Sequence, residues 1–147
     1  MSLRIFVSRD AGAVAVGADE VALALEQAAG KRDVDMEIVR TGSRGLYWLE
    51  PMIEVATPKG RVAFGPVTAA DAASVLEAMI SDGAHPLRLG IADEIPWLKR
   101  QTRLTFARCG VVDPRSLEDY RAHDGYKGLE DRGADPDVQR RFLRQAR

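Results

Sequence analysis

The stretch Met36–Met79, MEIVRTGSRGLYWLEPMIEVATPKGRVAFGPVTAADAASVLEAM, decides the fold. Met36–Val39 is a short strand candidate, Gly42, Ser43, Arg44 and Gly45 impose a loop, and Met52–Thr57 resumes an extended run directly after Pro51. Pro58, Lys59 and Gly60 turn the chain and Arg61–Val67 runs back, which predicts a β-hairpin. Thr68 then stands as an N-cap with Asp71 three residues on, and Val75, Leu76 and Met79 share one helical face, so a helix is expected over residues 69–80. One hairpin under one helix buries too little surface to be stable alone. The residues before Met36 must therefore belong to the same unit.

Upstream, Leu3–Ser8 is apolar enough for a central strand, with Ile5, Phe6 and Val7 in succession. Arg9–Ala18 reads as a loop of small residues, after which Ala18, Val21, Ala22, Leu25 and Ala29 recur at helical spacing up to Gly30. Val34, Met36 and Ile38 alternate with acidic residues, as in a strand covered on one face. The order is β-α-β, a loop, a hairpin and a closing helix. Parallel neighbours for the first part and antiparallel ones for the hairpin make a small mixed α/β sheet with flanking helices.

The totals bound the possibilities. A chain of 147 residues, 46% of them hydrophobic, suffices for one ordinary domain with a tail. Its 21 basic and 22 acidic side chains balance to −1, which removes any whole-chain electrostatic argument for nucleic acid or an anionic membrane as partner. No apolar run reaches the roughly 20 residues of a bilayer span, and MSLRIFV lacks the separate basic and apolar regions of a secretion signal, so a cytoplasmic location is expected. One cysteine, Cys109, and two histidines leave little material for disulfide or Cys/His metal chemistry.

After Ile80 the character changes. Ser81–Ala84 breaks the helix, and His85-Pro86-Leu87 opens an irregular segment leading to Ile95-Pro96-Trp97-Leu98. Lys99, Arg100, Arg103 and Arg108 interleave with Leu104 and Phe106, which suits a strand or an extended arm with one apolar and one basic side. Asp113 and Pro114 introduce a short helix that ends over His123–Gly128, and a further helix, basic at its end, is expected towards Arg147. The expected division is residues 1–84 as the α/β domain, 85–129 as a surface-crossing linker or docking segment, and 130–147 as a charged helical tail.

Catalytic motifs are sparse. Gly12-Ala-Val-Ala-Val-Gly17 lacks the glycine spacing that brings backbone N–H groups to a pyrophosphate. His85 and His123 have no local Ser/Asp partners and read as turn or solvent-facing residues. Cys109 reads as a buried inert thiol, or, beside Arg108, as a thiolate of a cysteine-dependent enzyme. Leu46, Tyr47, Trp48 and Leu49 either fill the core rim or present an aromatic anchor. Trp48, Trp97 and Phe106 with Arg100, Arg103 and Arg108 are the candidate partner-binding set, with membership in the intrachain core as the alternative.

Two strings carry a family resemblance: HPLRLGIADEIPWLKRQTRLTFARCGVVDPRSLEDYRAHDGYKGL, His85–Leu129, and TGSRGLYWLEPMIEVATPKGRVAFGPVTAAD, Thr41–Asp71. Across about residues 3–129 the chain resembles the N-terminal region of the beta (flavoprotein) subunit of NAD-dependent formate dehydrogenases. That family is related to the NADH-binding flavoprotein subunit of respiratory complex I and to the diaphorase subunits of NAD-reducing hydrogenases. The resemblance implies a thioredoxin-like fold and a noncatalytic assembly module that positions flavin and iron–sulfur electron carriers. Implied partners are the iron–sulfur gamma subunit and the formate-oxidising alpha subunit. FMN, NAD, iron–sulfur clusters and a molybdenum cofactor belong to the complete complex, and none to this chain. A stand-alone or homo-oligomeric structural module is the alternative.

The same resemblance extends to small subunits and ferredoxins that hold a [2Fe-2S] cluster on this fold. The places of their cluster cysteines are implied at Ser8 and Ala13, then at Ser43 and Tyr47, and none is cysteine here. Thiolates hold such a cluster, so their replacement leaves the scaffold alone. After Tyr126-Lys127-Gly128-Leu129 the resembled subunits continue into a glycine-rich FMN cradle, whereas here Glu130-Asp131-Arg132-Gly133 leads to a charged tail. The sequence is accordingly expected to be a fragment of a longer subunit or a short relative.

Overall fold

A computed structural model describes residues 2–133. Two compact units divide the chain, Met1–Val111 and Val112–Arg147.

Five strands, β1 (Leu3–Ser8), β2 (Met36–Thr41), β3 (Ile53–Thr57), β4 (Gly60–Phe64) and β5 (Arg88–Ile91), form one sheet in the order β2-β1-β3-β4-β5. β1 and β2 are parallel, joined through α1 (Ala11–Ala15) and α2 (Ala18–Lys31); all other neighbours are antiparallel. The parallel pair requires a crossover, and α2 supplies it. With α3 (Ala72–Ser81) closing the hairpin unit, this is a thioredoxin-like arrangement of a mixed sheet and flanking helices, as the sequence led us to expect. Thr68 and Asp71 form the expected capping box, opening a 3-10 turn at Ala69–Asp71 that runs into α3.

Alternation along the strands assigns two faces. Ile5 lies opposite Val55, Val55 opposite Val62 and Val62 opposite Ile91; Val7, Ile53 and Phe64 form the next row. These side chains join Val21 and Leu25 of α2 and Val75 and Leu76 of α3 in the main core. The intervening row, Phe6, Glu54, Ala63 and Gly90, points to the other face. There Leu46, Met52, Ala63, Ala92 and Leu98 make a second, smaller core.

Several local expectations need correction. Residues 11–15 are helical, not loop, because the Asp10 carboxylate caps the turn by accepting from the Ala13 N–H. β5 lies inside the segment read as irregular. It is four residues long, and its pairing shifts between Ala63 and Phe64, where Gly90 adopts φ +87°. A short bulged edge strand with an internal glycine leaves almost no alternation to read. Residues 96–111 are not an extended arm. Pro96 starts α4 (Pro96–Lys99), and the bonds Ala107 N–H to Leu104 O, Cys109 N–H to Phe106 O and Val111 N–H to Arg108 O wind the rest into successive turns.

The second unit holds α5 (Leu117–Ala122) and α6 (Lys127–Gly133). Ser116, not Asp113, caps α5: its hydroxyl accepts from the Asp119 N–H, and Asp113 instead accepts from Arg115 N–H in the turn before it. Tyr120 and Tyr126 meet edge to face at 5.1 Å between ring centroids. α6 runs across the expected boundary between residues 129 and 130, and residues 134–147 of the segment read as a helical tail lie outside the described residues.

Candidate functional site

β1 and β2 run parallel, so their C-terminal ends open on the same side of the sheet. The first end delivers Ser8 and Asp10; the second delivers the loop Gly42–Gly45 and the 3-10 turn Tyr47–Leu49. Opposite this loop stand Trp97 of α4 and the turns of residues 101–109. Between them lies an open groove of about 840 Å³, lined among others by Asp10, Ser43, Tyr47, Trp97, Arg103 and Phe106.

A polar layer beneath the groove holds its walls. Arg44 is buried and grips Glu54 with two hydrogen bonds, Nε to Oε1 at 2.5 Å and Nη2 to Oε2 at 2.9 Å, and Nη1 reaches Asp93 at 2.9 Å. Burial alone would lower the Arg44 pKa, but the bonds and charge of Glu54 and then Asp93 outweigh it, so the net shift is upward. Arg61 lies over the Phe6 ring, 3.3 Å from its centroid, stands 3.7 Å from Glu54 and donates to the carbonyls of Gly110 and Val111. Arg103 donates from Nη1 to the Cys109 carbonyl and from Nη2 to that of Arg44. Gly110, at φ +78°, packs so closely on Arg44 that a Cβ there would overlap the Arg44 side chain. The turns of residues 101–111 are thus held to the sheet by arginines bonded to main-chain carbonyls.

Glu50 closes the loop from below. Its Oε1 accepts from Ser43 Oγ at 2.8 Å and its Oε2 from the Met52 N–H at 2.9 Å, while Ser43 Oγ in turn accepts from the Gly45 N–H. Burial pushes the Glu50 carboxyl upward from its usual range, the two hydrogen bonds oppose this, and the nearby Asp10 and Glu54 charges add to it.

The expected partner-binding residues are distributed as follows. Trp48 and Trp97 are both more than half exposed and meet edge to face, with centroids 5.7 Å apart and planes at 88°. Phe106 is exposed on the groove wall with Leu104, and Tyr47 is exposed across from them. Arg103 lines the groove, and Arg100 is exposed with its Nε bonded to the Pro96 carbonyl. Arg108 is half-buried and already engaged in an interaction of its own. The sequence reading missed the Arg44–Glu54 pair. Its one visible signal was a charged residue, Glu54, within an otherwise apolar strand, where a buried carboxylate requires a cationic partner.

Cys109 is exposed, not buried, and lines the groove. Among the described residues lining the groove there is no histidine, the base that the cysteine-dependent reading calls for. His85 Nε2 lies 3.2 Å from Ser74 Oγ, but His85 Nδ1 accepts from the Leu87 N–H and Ser74 Oγ donates to the Asp71 carbonyl. In the neutral ring Nε2 therefore carries the proton and donates to the serine, the reverse of what activates a nucleophile.

Of the implied cluster places, Ser43 and Tyr47 line the groove, Ser8 is buried at the end of β1 and Ala13 belongs to the main core, so the side chains there are hydroxyl, methyl and phenol groups. These are not the thiolate donors of a [2Fe-2S] centre. Among the described residues no group of three or more His, Cys, Asp or Glu side chains is arranged to hold a metal ion, and no helix is long and apolar enough to cross a membrane.

No family model and no curated protein matches the chain. Among solved structures it is similar to two cysteine-to-serine variants of the thioredoxin-like [2Fe-2S] ferredoxin from Aquifex aeolicus. For each the identity is 22%, the TM-score is 0.49, and the match covers 60% of this chain and 98% of the ferredoxin chain.

Proposed function

We propose that this chain is a noncatalytic docking and positioning module of a redox assembly, in the manner of the N-terminal region of an NAD-linked formate dehydrogenase beta subunit. In that reading it holds flavin and iron–sulfur carriers in register while the electrons pass through neighbouring domains and subunits, and the complete resembled subunit delivers them to NAD. The observation that carries the proposal is the exposed Trp48–Trp97 pair on the rim of a groove whose wall also exposes Phe106. Aromatic side chains standing out of water-facing turns yield contact energy only when a partner covers them. The hydroxyl and phenol side chains at the implied cluster places support a scaffold over an electron carrier.

The test is binding of the purified iron–sulfur gamma subunit, measured by calorimetry against the wild-type chain and Trp97→Ala. Trp97→Ala is expected to weaken binding at least tenfold, about 1.4 kcal/mol, with an unchanged far-ultraviolet spectrum. Failure of the wild-type chain to bind at concentrations of about 50 μM, a range still accessible to weak complexes, overturns the reading.

A further inference from the structure

Two arginines at the groove have no carboxylate bonded to them among the described residues. Arg44, Arg61, Arg88 and Lys99 all reach carboxylates. Among the described residues Arg103 and Arg100 do not: Arg103 has only the carbonyls of Cys109 and Arg44, and Arg100 only that of Pro96. Carbonyl bonds orient a guanidinium without compensating its charge, which leaves the fork available to an anion. Arg103 lines the groove and Arg100 stands one residue from its wall at Gln101. Asp10, the one acid on the lining, accepts from the Ala13 N–H and keeps its charge, and no bond joins it to Arg103 or Arg100.

Charge and surface together specify the occupant. Exposed Tyr47, Trp97, Leu104 and Phe106 call for apolar side chains, and the arginines call for carboxylates. Residues 134–147 of this chain fit poorly by sequence, since Arg140, Arg141, Arg144 and Arg147 outnumber Asp135 and Asp137 and bring like charge. We propose that the groove receives an acidic, apolar linear segment of a partner protein, with large apolar side chains between the Tyr47 loop and residues 101–109 and a carboxylate against Arg103 and Arg100. This rests on the docking reading above and names the chemistry of what docks.

A library of random peptides of about nine residues, roughly 30 Å when extended, selected against the full chain supplies the probe. Selected peptides should combine Asp or Glu with aromatic or aliphatic residues. Their affinity should fall at least fivefold between about 50 and 500 mM NaCl, as expected for pairs at a partly open surface. Selection against Arg100→Glu/Arg103→Glu should return basic peptides of similar apolar content. Because Arg103→Glu also removes bonds that hold the groove wall, Arg100→Glu alone, at an exposed site, is the second variant; it should weaken a peptide selected on the wild type at least threefold. Neutral or basic selections from the wild type, no enrichment, identical selections from both baits, or no loss with Arg100→Glu each overturn the inference. Acidic peptides that bind while the gamma subunit does not leave this inference standing and remove the redox assembly. A gamma subunit that binds the charge-reversed and wild-type chains equally does the opposite.

Discussion

The two faces of the sheet are built on different principles. One is closed by α2 and α3 over Ile5, Val7, Ile53, Val55, Val62 and Phe64, a continuous apolar layer. The other is closed by irregular chain and depends on charge, with Arg44 clamped by Glu54 and Asp93 and with Arg61 and Arg103 donating to carbonyls of the covering turns. Regular helices satisfy their own main-chain groups, so their cover can be purely hydrophobic. Turns cannot, and the arginines supply the missing donors to carbonyls such as those of Cys109, Gly110 and Val111. The difference is in how the cover is held: the helical face is closed by apolar packing, and the charged face holds a wall of aromatic-bearing turns open.

The comparison breaks if removing a large side chain from the apolar face is cheap. Phe64 is fully buried, and Phe64→Ala should cost about 3–5 kcal/mol in denaturant-monitored unfolding. A loss below about 1.5 kcal/mol would mean that the helical cover is loosely packed.

On the charged face the expected behaviour is non-additive. Arg44→Met leaves Glu54 buried without its two-bond partner and should cost about 3 kcal/mol. Adding Glu54→Leu should recover most of that loss, because an apolar pair replaces an ion pair at little net cost. A double variant as unstable as the sum of its singles would show that the pair's role cannot be replaced by packing.

Glu50 should give the smallest effect, and its size depends on pH. Its carboxyl is raised in the folded chain, so the folded state binds the proton more tightly, and that contribution is fully present below the usual value of 4.5 and lost as pH rises through the folded-state value. Glu50→Gln keeps an acceptor for the Met52 N–H without the charge. It should raise the melting temperature at pH 7.5, with the gain disappearing at pH 4. A gain independent of pH would mean that burial does not govern this carboxyl.

The succession of elements up to α3, the hairpin, the Thr68–Asp71 capping box and the helical faces of α2 and α3 were legible in the sequence, because each rests on neighbours within a few residues or on a sustained period of two or 3.6. The aromatic and basic residues of the groove were legible as residue types. Their assembly was not, since it depends on where Pro96 and Gly110 turn the chain. Only the tertiary structure paired Arg44 with Glu54, ten residues apart across the 3-10 turn Tyr47–Leu49, and set Trp97 against Trp48. Local sequence records the conformation each segment prefers. Which buried charge meets which cation, and which aromatic ring remains uncovered, is decided when two faces of one sheet are closed by different kinds of chain, and that information is held in no single stretch.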